Sequence, residues 1–342
     1  EALLTPHGVD SYLGLLHPML TVHELRAEVT AVHRPSPDAV TLQLRPTRQW
    51  QGFRAGQHVR LVVEIDGVRR TRCYSPASSP YRANELELTV KAHQEGLVSR
   101  FLYRHAVAGM VVGLSQADGE FTLPRPRPER VLLISGGSGI TPVLSMLRTL
   151  CAEGYRGDLT FLHYARSEAD MPYRTELAEL AARHDNVEVR VLEPRTHGYF
   201  SRRQLLDAAP WYAEALTYAC GPAALLDVVR QLFEAAGLGG RLSTEQFTPP
   251  AIVVEEGRAT GEVIFSRSGL RVRNSGKTLL EQAEGAGLSP EHGCRMGICF
   301  SCTQVKKTGC VRNVLTGDTS SENGEEIQLC ISAPAGDVEI DV

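Results

Sequence analysis

The chain has 342 residues, 42% hydrophobic and 22% charged, with a formal net charge of −4. This composition excludes a disordered or collagen-like chain and predicts two or three domains at roughly 100–200 residues each. No run approaches the ~18–20 apolar residues of a membrane helix, and the N-terminus lacks the basic-then-apolar order of a signal peptide, so a cytoplasmic protein is expected.

Residues 1–23 carry an apolar stripe of Tyr12, Leu13, Leu15, Leu16, Met19 and Leu20, which predicts an amphipathic helix interrupted at Gly14 and Pro18 and packed on the next domain. From Glu24 the pattern changes to short alternating runs at 39–44, 58–65 and 85–90, with a turn at Asp66-Gly67. Period two at that spacing predicts an antiparallel barrel or sandwich. Pro124, Pro126 and Pro128 continue neither a helix nor a central strand, and they mark a first linker.

Beyond it an apolar strand at 130–134 runs through a glycine loop into a helix spanning 141–151. Strands at 159–163, 187–192 and 215–219 alternate with helices at 176–183, 201–208 and 223–236. Such alternation predicts a parallel, doubly wound sheet. Thr248, Pro249 and Pro250 form a second linker. A hairpin at 261–266 and 270–273, a helix at 278–286 and a Gly- and Cys-rich loop then predict a small α+β domain. The expected division is an N-terminal extension (1–23), an antiparallel β-barrel domain (24–127), an α/β doubly wound domain (128–248) and an α+β domain of β-grasp type (249–342).

Acidity is concentrated at the C-terminus: residues 252–342 hold 13 acidic and 9 basic side chains, against 40 and 36 in the whole chain. This argues against nucleic acid and for a basic docking partner. Cysteine is equally uneven. Cys73, Cys151 and Cys220 stand alone, whereas Cys294, Cys299, Cys302, Cys310 and Cys330 crowd the last fifty residues, which points to a metal rather than a disulfide framework.

The spacing Cys294-x4-Cys299-x2-Cys302, with Cys330 following 28 residues later, is the C-x4-C-x2-C…C arrangement in which four thiolates hold one 2Fe-2S cluster. Gly293 and Gly297 are expected to relax the φ limits where the backbone wraps the cluster. Structural zinc is the alternative, although it would want a second Cys-x2-Cys pair. Cys310 reads as a structural thiol. Gly136, Gly137, Ser138 and Gly139, followed by Thr141 and Pro142, place backbone amides and a helix N-terminus where a pyrophosphate would sit. The loop departs from G-x-G-x-x-G, because Thr141-Pro142 stands where the third glycine would be.

Taken in order, Arg72-Cys73-Tyr74-Ser75, Gly96-Leu97-Val98-Ser99, the glycine loop and Cys220-Gly221-Pro222 resemble the ferredoxin-NADP reductase superfamily over roughly residues 24–248. With a plant-type ferredoxin module appended, the chain is similar to three-domain electron-transfer reductases, most of all those that serve bacterial acyl-CoA desaturases. The resemblance implies that Arg72 pairs with flavin phosphate, that Tyr74 lies against the isoalloxazine and that the Ser75 hydroxyl approaches its N5, with Cys73 in the same segment. Arg suits phosphate because its fork gives two charge-assisted hydrogen bonds. Gly96, Leu97, Val98 and Ser99 would offer amides and a hydroxyl to FAD phosphates.

Cys220, with Gly221 and Pro222, would sit near the nicotinamide. Phe247, ending the segment Glu245-Gln246-Phe247, would stack on the flavin and yield to the nicotinamide. Arg166, Arg174 and Arg195, beyond the second and third parallel strands, favour the 2′-phosphate of NADPH, with NADH the alternative. The implied function is an NAD(P)H-dependent reductase that passes electrons through FAD and a 2Fe-2S cluster to a partner protein. A membrane di-iron fatty acyl desaturase is the first expectation for that partner, and a haem monooxygenase or Rieske dioxygenase the second. A redox-sensing flavoprotein without turnover and a diaphorase with structural zinc are the rivals. A monomer is expected, peripheral at the membrane when docked.

Overall fold

The computed structural model describes residues 9–82, 85–94, 96–247 and 259–342. The second linker at Thr248, Pro249 and Pro250 and the first eight residues of the N-terminal extension lie outside them. The chain divides into two compact units, Glu1–Phe247 and Thr248–Val342.

The first unit begins with helix α1 (Val9–Leu16), then strands β1 (Arg26–Ser36), β2 (Ala39–Pro46), β3 (Val59–Ile65), β4 (Val68–Tyr74) and β5 (Leu86–Lys91), helix α2 (Leu97–His105) and strand β6 (Val111–Leu114). The strands form a six-stranded antiparallel sheet in the order β4-β3-β6-β1-β2-β5. Alternation is the cause: along β3, Val59, Leu61, Val63 and Ile65 are buried while Arg60, Val62 and Glu64 are not, so one face closes on the core. That core gathers Val29, Leu42, Leu61 and Leu88, and Val98 and Leu102 of α2 seal it.

The expected packing of the N-terminal stripe is not what the structure shows. Helix α1 runs through Gly14 and stops before Pro18, and Leu15 and Leu16 are 84% and 79% exposed. The anchor is polar instead. Asp10 is buried, and its carboxylate accepts hydrogen bonds from the amides of Val22, His23 and Glu24 at 2.6, 2.9 and 2.7 Å.

The second layer of the unit contains β7 (Arg130–Gly136), α3 (Ile140–Ala152), β8 (Asp158–Tyr164), α4 (Arg174–Arg183), β9 (Val187–Leu192), α5 (Pro194–His197), α6 (Arg202–Ala208), β10 (Leu216–Cys220), α7 (Ala223–Ala235) and β11 (Leu242–Glu245). All five strands are parallel, in the order β11-β10-β7-β8-β9. β7 is central and buried on both faces from Val131 onward, which explains its unbroken apolar run. α3 is buried almost all round, as a helix sandwiched in the core must be.

The second unit contains β12 (Glu262–Phe265), β13 (Leu270–Arg273), α8 (Leu279–Gly285), β14 (Thr303–Asn313), β15 (Thr319–Ser320), β16 (Glu325–Gln328) and β17 (Ser332–Ile340). Its mixed sheet runs β13-β12-β17-β14-β15, with β16 also on β14 and β12 parallel to β17. Thr278 and Glu281 form a reciprocal capping box that starts α8, an arrangement worth about 1 kcal/mol. The α8 face of Leu279, Leu280 and Ala283 packs on Val263, Phe265 and Val338.

Candidate active site

β4 ends in the Arg72-Cys73-Tyr74 segment, and Ser75 follows it directly. Pairing with β3 sets Arg70 opposite Val63, Arg72 opposite Leu61 and Tyr74 opposite Val59. Because those partners are buried, Arg70, Arg72 and Tyr74 share one face of the sheet. Cys73 alternates to the other. Burial drives the Tyr74 phenol pKa upward, so the hydroxyl keeps its proton. Gly96 is the N-cap of α2, and no side chain caps its first amides, so Leu97, Val98 and Ser99 present donors at a helix N-terminus. Ser99 Oγ itself donates to the Gly96 carbonyl at 3.2 Å.

In the parallel sheet the chain reverses direction of build between β7 and β10, and a switch of this kind opens a crevice at the carboxyl ends of the two strands. The glycine loop and the Cys220-Gly221-Pro222 segment flank that crevice. Gly137, Ser138 and Gly139 form a tight 3-10 turn that feeds α3, with Thr141 and Pro142 buried in its first turn. A Cβ on Gly139 would lie 2.3 Å from the Cys220 carbonyl oxygen, so the two loops approach as closely as they do because the residue is glycine. Register then sets Cys220 between Ser135 of β7 and Glu245 of β11.

Glu245 is a functional candidate that the sequence reading passed over in favour of Phe247. Its carboxyl pKa is pushed up to about 8 by burial, with the Ser75 hydroxyl offsetting part of the rise. Burial, and then the Glu245 charge, also raise the Cys220 thiol, which is 0% exposed and stays protonated. Ser75, Cys220 and Glu245 are thus buried neighbours. Phe247 is half-buried against the core that contains Ala77 and Cys220.

The three arginines assigned to the 2′-phosphate are less concentrated. Arg166 and Arg195 follow the carboxyl ends of β8 and β9, while Arg174 opens α4, and all three are exposed. Arg166 already faces two carboxylates, Asp38 at 3.5 Å and Asp170 at 3.8 Å.

In the second unit Cys294, Cys299, Cys302 and Cys330 are all buried, at 8% exposure or less. The close approach of Cys330 to Cys294 and Cys302 pushes the Cys330 thiol up and draws the Cys302 thiol down. The Cys299 sulfur accepts from the Cys294 amide at 3.1 Å, and the Cys294 sulfur from the Met296 amide at 3.3 Å. Backbone amides therefore already point at ligand sulfurs. Gly297 has φ +79°, as expected of it, but Gly293 does not take a left-handed φ. Gly293 is small for a different reason: a Cβ there would meet the Cys299 sulfur at 2.8 Å. Arg295 and Phe300 take the other left-handed positions.

Comparison with known proteins agrees with this geometry. Residues 26–123 match the oxidoreductase FAD-binding domain family, and residues 133–231 match the oxidoreductase NAD-binding domain family. An NADPH oxidoreductase of Mycobacterium tuberculosis (strain ATCC 25618 / H37Rv) is 37% identical, covering 99% of this chain and 90% of that protein. The chain belongs to the ferredoxin-NADP reductase family. A glycine betaine monooxygenase reductase subunit of Pseudomonas aeruginosa (strain UCBPP-PA14) is 32% identical over 84% of this chain and 87% of its own length. Phthalate dioxygenase reductase shares the fold with a TM-score of 0.65 at 24% identity, covering 94% of this chain and 98% of that one.

As a member of the ferredoxin-NADP reductase family, the protein is an NAD(P)H-dependent flavin oxidoreductase, and its own residues fit the cofactors. Arg70 Nε is buried without a hydrogen-bond partner among the described residues, and Ser75 Oγ and Glu245 Oε2 are buried with no partner there but each other. Polar atoms are rarely left so unless a ligand satisfies them. Arg70, two residues before Arg72 on the same face, carried no motif and was missed in the sequence; its signal was the strand period of two. The four buried thiols fit a 2Fe-2S cluster, whose ligands are thiolates.

Proposed function

We propose that this protein is the reductase component of a multicomponent oxygenase. The observation that carries the reading is the joining, in one chain, of the buried neighbours Ser75, Cys220 and Glu245 beside a dinucleotide crevice with four buried cysteines in a separate unit. Bound FAD would supply hydride chemistry, and a 2Fe-2S cluster would supply single-electron transfer. Ser75 offers its hydroxyl to the flavin ring, and Arg72 with Arg70 neutralises the flavin phosphates. Amides of Leu97, Val98 and Ser99 bind the same phosphates at the α2 N-terminus. Gly136, Gly137, Ser138, Gly139, Thr141 and Pro142 cradle the pyrophosphate of the nucleotide. Cys220, kept as a neutral thiol, would line the nicotinamide side with Gly221 and Pro222, and Phe247 would pack against the flavin. Cys294, Cys299, Cys302 and Cys330 are the cluster ligands. The FAD, NAD(P) and ferredoxin-like domains span 24–127, 128–248 and 249–342.

Relatives that are reductase subunits of glycine betaine monooxygenase and of stachydrine N-demethylase support an oxygenase as acceptor. This reverses the order expected from the sequence. A membrane fatty acyl-CoA desaturase is the second reading, supported by the exposed Leu15 and Leu16 of α1. The NADPH preference is supported by the M. tuberculosis relative and by Arg195 beyond β9.

An anaerobic absorbance titration with NADPH and then NADH, with iron and acid-labile sulfide analysis, tests the core of the reading. Flavin and iron-sulfur bands that both bleach are expected, faster with NADPH. Flavin bleaching in a protein that holds zinc and no sulfide would refute it.

A further inference from the structure

Hydride transfer needs reacting atoms held about 3–3.5 Å apart, yet the two sides of this site come from different layers of the first unit. Ser75 follows β4, and the nucleotide loops follow β7 and β10. Helix α3 spans the two. It rises from the glycine loop, and Ser145 and Arg148, three residues apart and hence on one face, reach the segment just past Ser75. Ser145 Oγ donates to the Ser78 carbonyl at 2.6 Å in a buried contact. Arg148 Nη1 donates to the Ala77 carbonyl and to Glu87 Oε1, each at 2.7 Å.

The rest of the guanidinium is equally engaged. Its Nε and Nη2 donate to the two carboxylate oxygens of Glu176 on α4 at 2.7 and 2.5 Å. Its carbon lies 5.0 Å from the ring centroid of Tyr173, whose hydroxyl hydrogen-bonds to Thr89 of β5. The Arg148 and Glu87 side chains are only 12% and 10% exposed. Glu87 is itself tied to the same segment: its carbonyl accepts from the Ala77 amide at 2.9 Å, and its amide donates to Ser78 Oγ at 3.1 Å.

We propose that Arg148 is a positioning residue for hydride transfer, fixing residues 75–79 against α3 and so holding the Ser75 hydroxyl in register with the loops that bind the nicotinamide nucleotide. The proposal rests on the assignment of Ser75 to the flavin ring. Arg148 touches neither cofactor nor substrate in this scheme. It acts through the Ala77 carbonyl, two residues from Ser75.

The test uses the full chain loaded with FAD and cluster, as wild type and as the variants Arg148→Lys, Ser145→Ala and Ser75→Ala. Lysine keeps the charge but not the planar fork, so it loses the two-pronged contact with Glu176 that aims the remaining donor at the Ala77 carbonyl. Hydrogen exchange of the 75–79 amides is followed with and without FAD, and the limiting rate of flavin reduction is followed at saturating NADPH. Arg148→Lys is expected to speed exchange in 75–79, and to slow flavin reduction about 10²-fold with the NADPH dissociation constant within about twofold of wild type. Ser145→Ala moves both readouts in the same direction by less.

Wild-type exchange in 75–79, or a loaded fraction that reduces at the wild-type rate despite a lower melting temperature, overturns the proposal by making Arg148 purely structural. If Arg148→Lys does not fold, Ser145→Ala decides on the same two readouts. A Ser75→Ala variant with the wild-type rate would sink the Ser75 assignment. The proposal then falls with that assignment, whereas a slow Ser75→Ala beside an Arg148→Lys of wild-type exchange and rate overturns the proposal and leaves the assignment standing.

Discussion

Glu245 makes the stability of the first unit fall with rising pH. Its carboxyl has an ordinary pKa of 4.5 and stands at about 8 in the fold because it is buried. Between those values the unfolded chain gives up its proton while the folded chain keeps it, so stability drops by about 1.4 kcal/mol per pH unit and levels off above pH 8. Over the whole window this amounts to about 5 kcal/mol at most. Glu245→Gln, a shape match for the protonated acid, removes the slope. At about 2–4 °C per kcal/mol for a unit of this size, the variant should gain roughly 3–6 °C in Tm over the wild type for each pH unit between 5 and 8. Trp50 and Trp211 are the two tryptophans of the chain, and both lie in the first unit. Thermal melts of the flavin-depleted protein read by tryptophan fluorescence therefore report that unit alone. Curves of Tm against pH that run parallel for the two proteins would refute the argument.

Other perturbations separate the parts of the machine. Replacing Cys294 or Cys302 by serine should abolish the iron-sulfur absorbance and single-electron delivery to an external acceptor while flavin reduction by NAD(P)H persists; loss of flavin reduction as well would contradict the division of labour. Gly139→Ala drives a methyl group into the Cys220 carbonyl and should cost about 1–3 kcal/mol of stability, with a raised KM for the nucleotide; an unchanged KM would mean the two loops do not need to touch. Arg195→Gln should lower kcat/KM for NADPH by roughly tenfold or more, the value of a charge-assisted phosphate contact, and leave NADH unaffected; equal losses with both nucleotides would remove Arg195 from the 2′-phosphate.

Much of the architecture is legible in the chain because it rests on local pattern. The buried run of β7, the alternation in β3 and the spacing of Cys294, Cys299 and Cys302 all carry their meaning within a dozen residues. Other features depend on partners far away. β14 and β17 are interrupted by Lys306, Gly309 and Pro334, residues that blur the period of two; Lys306 is tolerated at 0% exposure because it pairs with Glu325 at 3.0 Å and reaches two backbone carbonyls. Nothing near Arg148 in sequence announces Ala77 or Glu87, more than sixty residues upstream. Glu245 stands in the sequence at the acidic position of an acidic-x-aromatic segment, but only burial beside Ser75 shows how far its carboxyl is perturbed.

The two chemistries ask for different mechanical solutions, and the chain supplies both. A hydride moves only between atoms in contact, so a misplacement of about 1 Å costs orders of magnitude in rate. The first unit meets that demand by burying a doubly clasped arginine between its layers, a choice that hydrophobic packing would often match in stability alone but without the directionality of a guanidinium fork. Single electrons tunnel across a range of separations and orientations. The cluster loop correspondingly spends its constraints inward, with Gly293 and Gly297 letting amides close on the sulfurs. The division between Phe247 and Thr248 thus separates the residues assigned to hydride transfer from the thiols assigned to single-electron transfer.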